Sequence, residues 1–113
     1  MTIYFISRHT GAIEWATSMN LQVDRFLQHI EDDIFVAGDI VIGTLPINMV
    51  CELQNRNIKV LSLILDLPLE LRGKELSQTE LVACNARLVN YQVKVQETLD
   101  PLQSYDIIKH NAI

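Results

Sequence analysis

The chain has little of what builds disulfide scaffolds, linkers or nucleic-acid-binding faces. Two cysteines, Cys51 and Cys84, are too few for a disulfide framework or a thiolate metal quartet. Three prolines and four glycines exclude a collagen-like or linker protein. Nine Lys and Arg against fourteen Asp and Glu leave a net charge of −5, which argues against non-specific binding of long DNA or RNA. No apolar run approaches the roughly 20 residues of a membrane helix. Met1-Thr2-Ile3 offers neither the basic start nor the apolar stretch of a secretory signal. The expectation is a reduced, soluble, cytoplasmic protein that does not contact membranes and carries no cofactor or metal.

What is present is aliphatic. Ile, Leu and Val supply 37 of the 113 residues, against seven aromatics. That content excludes disorder, and the length suits one small domain over residues 1–113. A core of this size is often completed by a partner, which raises the expectation of dimerisation.

The apolar pattern alternates between two periods. Thr2–Ser7 (TIYFIS) is a β-branched and aromatic run with the look of a buried strand. A helix is expected from Ala12 to Asn20, with Ile13, Ala16 and Met19 on its apolar face. Asp24–His29 reads as a second strand, Ile34–Gly38 as an irregular crossing, and Asp39–Gly43 as the plainest strand in the chain. A helix follows with Pro46 in its first turn and Ile47, Val50 and Cys51 as its stripe. Lys59–Leu67 is nearly all apolar, as in a parallel strand covered on both faces. Ser77-Gln78-Thr79-Glu80 is a capping box, and Leu81, Cys84, Leu88 and Tyr91 keep helical spacing beyond it. Residues 104–109 fit a strand, a helical turn or a tail equally well. The fold class is therefore α/β: a small Rossmann-like three-layer sandwich with a mostly parallel sheet of about four strands.

In such sheets ligands sit beyond the strands' carboxyl ends, which singles out three loops. Ser7-Arg8-His9-Thr10-Gly11 collects two hydroxyls, a guanidinium, an imidazole and a glycine before a helix. Arg8 can fork onto a phosphate, and His9 can move a proton near neutral pH. The plain alternative is a helix cap with Arg8 and His9 solvated. In the second loop, Gly43 permits close backbone approach, and Thr44 and Asn48 can bond a phosphate, ribose or base across Leu45 and Pro46. Taken alone it is an ordinary helix start. The third, Asp66–Lys74, brings Arg72 and Lys74 to the same edge, or is only a charged loop. Trp15 suits core or interface better than base stacking. His29 and His110 have no ligand-type neighbours, and both cysteines read as buried thiols.

Three blocks, TIYFISRHTGAIEW, AGDIVIGTLPIN and LDLPLELRGKELS, lie in order within residues 2–77. Together they resemble a small CRISPR-associated ring nuclease family found with type III CRISPR systems. The resemblance implies a CARF-like fold, that is, one like the Rossmann-like sensors of the same messenger. It also implies a homodimer that binds cyclic oligoadenylate, chiefly cyclic tetra-adenylate, and linearises it to switch off antiviral signalling. On that reading the ribose 2′-hydroxyl attacks its own phosphodiester without a metal. Loop placement rather than any family motif suggests the roles: His9 handles the proton, as base or acid, Arg8 and Arg72 stabilise the phosphate, and Ser7, Thr10, Gly11, Thr44, Leu45, Pro46 and Asn48 bind the ligand. The stretch 97–113 is a candidate for the dimer interface. The alternatives are a non-catalytic sponge for the same messenger and a structural subunit docking on another CRISPR component. The strand–Arg-His–Gly pattern is also similar to the histidine phosphatases. Here Thr10 separates His9 from Gly11, and the chain is far shorter than that fold.

Overall fold

The computed structural model describes residues 1–31 and 34–102. Five strands form one sheet: β1 (Ile3–Ile6), β2 (Arg25–Leu27), β3 (Ile40–Gly43), β4 (Lys59–Ile64) and β5 (Arg87–Val89). Their order is β2-β1-β3-β4-β5. The first three pairings are parallel, and β5 runs antiparallel to β4 with Leu63 opposite Leu88. Among the described residues three α-helices cover it: α1 (Thr10–Ser18), α2 (Ile47–Asn55) and α3 (Gln78–Ala83).

Period-two alternation sorts the core into two faces. Tyr4, Ile6, Val41 and Val60 point to the α2 side, where they meet Val50, Leu53, Ile58 and Phe35. Phe5, Ile42 and Leu63 point the other way, onto Ala12, Trp15 and Ala16 of α1 and Leu81 of α3. The result is an α/β sandwich with helices on both faces of a mostly parallel sheet. The chain enters β2 through α1, then returns across the α2 face to β3, with no α-helix among the described residues of that crossing. Phe35 anchors that crossing, with its ring edge-on to Tyr4 at 4.8 Å between centroids. Arg56 at the end of α2 donates to the Phe35 carbonyl at 2.6 Å.

Two carboxylates secure the amino end of β1. Asp39 is buried and accepts the Thr2 and Val36 backbone N–H groups, both at 2.9 Å. These two donors, Val36 first, hold its carboxyl below the ordinary aspartate range. Asp24 accepts the Ile3 N–H at 2.8 Å.

Several boundaries differ from the sequence-based expectation. The helix expected to run through Leu88 and Tyr91 stops at Ala83. Asn85 takes a left-handed conformation, φ +57°, and the Ala86 N–H closes onto the Leu81 carbonyl at 3.0 Å. The released chain then pairs as β5, giving a fifth strand. The capping box is present as expected: the Glu80 N–H donates to Ser77 Oγ at 3.2 Å and the Ser77 N–H to Glu80 Oε1 at 3.1 Å.

The buried face of α1 is Ala12, Trp15 and Ala16, while Met19 is exposed. Trp15, as the bulkiest apolar side chain, sets that rotation. Pro46 is the N-cap of α2 rather than part of its first turn, and Ile47 is exposed. Cys51 and Cys84 are buried free thiols.

After β5 the chain runs across the end of α2. There the Gln54 side-chain amide accepts the Val93 N–H at 3.0 Å and donates to the Tyr91 carbonyl. Among the described residues no helix is long and apolar enough to cross a membrane. Residues 104–109, most of the stretch 97–113, and His110, Asp32 and Asp33 lie outside the described residues.

Candidate functional site

The strand order reverses between β1 and β3, since β1 leads to β2 on one side and the chain then crosses to the other. That reversal opens a crevice at the carboxyl ends of the strands, where ligands of open α/β sheets bind. A cleft of about 370 Å³ occupies the place. Its floor is apolar, with Ile6, Leu63, Leu65, Leu76 and Leu81; Ser7, Arg8, His9, Gln28, Thr44 and Lys74 supply polar groups around it.

The β1–α1 loop is shaped by its own backbone bonds. Its first residue is tied to β2, because the Ser7 N–H donates to the Leu27 carbonyl at 2.9 Å. The Ser7 hydroxyl then accepts the His9 N–H at 3.1 Å. His9 is the N-cap of α1, in extended conformation and with no side-chain cap bond, so its ring is free for other contacts. On the neighbouring strand, Gly43 lies so close to β1 that an added Cβ would stand 2.7 Å from the Ile6 carbonyl oxygen. Thr44 follows and donates its hydroxyl to the Leu63 carbonyl at 3.2 Å, linking the ends of β3 and β4. The N-cap of α2 is Pro46, two residues further on, and no side chain caps that helix.

Charge at this end is unevenly committed. Arg87 donates to Asp66 at 3.0 Å, and Asp66 also accepts from Asn85 at 3.0 Å. The Asn85 amide, then Arg87, hold the Asp66 carboxyl below its ordinary range. Among the described residues neither Arg8 nor Lys74 pairs with a carboxylate. His9 meets Glu75, with Nδ1 at 2.8 Å from Oε2 and 3.1 Å from Oε1. Such a cleft can hold an anion against Arg8 and Lys74, seat a flat apolar group on leucine, and present an imidazole to both.

The structure gathers Ser7, Arg8, His9 and Thr44 into the cleft, as the sequence suggests. Arg72 does not line it; Lys74, two residues on, does. Thr10 opens α1 at the surface. Gly11 is buried against the 75–77 segment, where an added Cβ would fall 2.0 Å from the Leu76 carbonyl oxygen. It therefore serves a close backbone packing. Leu45 packs on the α2-side core, and Pro46 and Asn48 lie exposed outside the cleft lining. Trp15 is core. Gln28 and Glu75 are additions from structure alone. Gln28 follows β2, and Glu75 is 66 residues from His9 along the chain, so neither carried a local signal. Among the described residues no group of three or more His, Cys, Asp or Glu gathers as metal ligands.

Fold and site together define an α/β protein with one mostly parallel sheet and a cationic cleft at its carboxyl edge. The chain belongs to a CRISPR-associated family: the family model described as "Putative CRISPR-associated protein (Cas_VVA1548)" matches residues 4–94. That span includes every residue lining the cleft. Comparison with curated proteins and with solved structures gives no match.

Proposed function

We propose that this protein is a Rossmann-like, CARF-like ring nuclease that binds cyclic oligoadenylate, chiefly cyclic tetra-adenylate, and linearises it, ending type III CRISPR signalling. The observation that carries the reading is the meeting of Arg8, His9 and Lys74 on one apolar-floored cleft at the sheet's switch point. Membership of a CRISPR-associated family supports it.

A cleft of about 370 Å³ lies at the small end of ligand pockets, suited to one nucleotide rather than four. A two-fold dimer doubles it, so Arg8 and Lys74 together present four cations to the four phosphates of a tetranucleotide ring. The remaining negative charge of the chain repels longer nucleic acid.

The reaction is an internal transesterification. His9 accepts the proton of a ribose 2′-hydroxyl, whose oxygen attacks the adjacent phosphorus in line. The P–O5′ bond breaks, and the 5′-oxygen takes up a proton, from His9 or from water. Arg8 and Lys74 stabilise the charge that grows on the non-bridging oxygens. The nucleophile belongs to the substrate, so the step as written needs no metal-activated water. The product is linear, ends in a 2′,3′-cyclic phosphate, and is isomeric with the ring.

The test is incubation of cyclic tri-, tetra- and hexa-adenylate with the protein in EDTA, at substrate excess, with products separated by chromatography and sequenced by mass spectrometry. Conversion of many equivalents of the tetramer is expected. Binding that stops at the number of sites would mark a sponge, and absence of both binding and conversion would sink the reading.

A further inference from the structure

The contact between His9 and Glu75 joins two loops that share no local sequence pattern. Their side chains are 61% and 62% exposed, and an ion pair so open to water contributes little to stability. Its geometry is nevertheless defined. Both carboxylate oxygens lie within 3.1 Å of the same ring nitrogen, Nδ1. An ionised carboxylate can only accept, so Nδ1 carries the hydrogen and Nε2 holds the lone pair of the neutral ring.

The backbone holds Glu75 in place from three directions. On its amino side, the Lys74 N–H bonds the Leu71 carbonyl at 3.3 Å. On its carboxyl side, Leu76 packs on the α1-side core and Ser77 caps α3. Gly11, lacking a Cβ, lets the Leu76 carbonyl lie directly on the first turn of α1. This close approach sets Glu75 beside the ring of His9, the N-cap of the same helix.

We infer that Glu75 is a positioning residue that fixes His9 in the Nδ1–H form, so that Nε2 is the nitrogen that accepts the proton in the cleft. The inference rests on the proposed nuclease reading for its proton-transfer half; the orienting half stands without it. When Nε2 takes a proton, the Glu75 carboxylate faces the imidazolium and stabilises it. No atom is gained or lost beyond that proton.

Nitrogen-15 spectra of histidine-labelled protein separate the two tautomers at a pH where the ring is neutral, with His9 assigned by loss of its signals in His9→Gln. The wild type is expected as Nδ1–H, and Glu75→Ala as mainly Nε2–H, the form imidazole favours in water. Glu75→Gln should retain Nδ1–H, because its amide oxygen still accepts. Single-turnover cleavage of cyclic tetra-adenylate should fall about 10- to 100-fold in Glu75→Ala, within the roughly 10²–10⁴ that a general base supplies. Glu75→Gln should lie between that and wild type, and ligand affinity should change less than about threefold in both. An unchanged tautomer in Glu75→Ala overturns the orienting half and with it the inference, and a changed tautomer with an unchanged cleavage rate overturns the proton-transfer half. A wild type that binds the ring without cutting it overturns the proton-transfer half together with the nuclease reading; the spectra still decide the orienting half.

Discussion

The two ends of the sheet use their charged side chains in opposite ways. At the amino end, Asp24 and Asp39 are spent on backbone: Asp24 accepts the Ile3 N–H, and Asp39 ties the Thr2 N–H to that of Val36. At the carboxyl end, Arg8 and Lys74 surround a cleft, and neither pairs with a carboxylate among the described residues. A satisfied carboxylate buried at 2% exposure is a structural device. On the proposed reading, cations left without counter-charges at the mouth of an apolar cleft serve as a receptor for anions. The chain's net charge of −5 thus coexists with two cations, Arg8 and Lys74, that no carboxylate answers among the described residues, beside an Arg87 that Asp66 does answer.

That contrast can be broken first at the amino end. Asp39→Ala should give the largest loss of thermal stability of any polar substitution, since it leaves two half-buried backbone bonds without their acceptor. Ligand affinity of the molecules that remain folded should not change. The same carboxyl sets an acid limit. Its folded-state value is lowered, so its contribution is complete above the ordinary aspartate range of about pH 4 and is lost as pH falls through the lower folded value. Denaturant midpoints measured from pH 7 down to pH 2 should decline in that window for wild type, and less steeply for Asp39→Asn. Equal slopes would assign the acid loss elsewhere.

Gly11→Ala probes the place where the binding end also depends on packing. Alanine favours a helix by about 1 kcal/mol over glycine, yet its Cβ would meet a backbone oxygen at 2.0 Å. The clash should win, lowering stability by about 1–3 kcal/mol and weakening cleavage through displaced Glu75. Chemical denaturation and single-turnover assays on one preparation check both effects.

Smaller effects sharpen the map of the cationic edge. Lys74→Ala should weaken cyclic tetra-adenylate binding about tenfold, the value of one charge-assisted bond. Arg72→Ala should change it less than about threefold, because Arg72 lies outside the cleft lining. A reversed order would restore Arg72 to the site. Arg87→Gln should have the smallest effect on binding, since its charge is already answered by Asp66.

Much of this arrangement is legible in the chain where local chemistry and tertiary structure agree. The runs at Ile3–Ile6, Ile40–Gly43 and Lys59–Ile64 are apolar enough to be strands whatever surrounds them. Ser7, Arg8, His9 and Thr44 are found because they directly follow strand ends. The sequence misleads where one pattern serves two structures. Leu81, Cys84 and Leu88 keep helical spacing, but Asn85 turns the chain before Leu88 can continue the helix. Tyr91 then lies in the irregular run past α2. Glu75 and Gln28 escape for another reason: their meaning arises only when separate loops converge. Arg72 and Lys74 illustrate the same limit within three residues, because which of two neighbouring cations faces a cleft depends on the turn between them.

The central claim is that the carboxyl end of the sheet is a phosphate-binding receptor. Equilibrium titration of cyclic tetra-adenylate into wild type and Arg8→Ala/Lys74→Ala, at matched low and high salt, tests it most directly. Saturable, salt-sensitive binding by wild type is expected, weakened about 100-fold or more in the double variant with its melting curve unchanged. Equal affinity of the two proteins, or no binding by wild type, would contradict it.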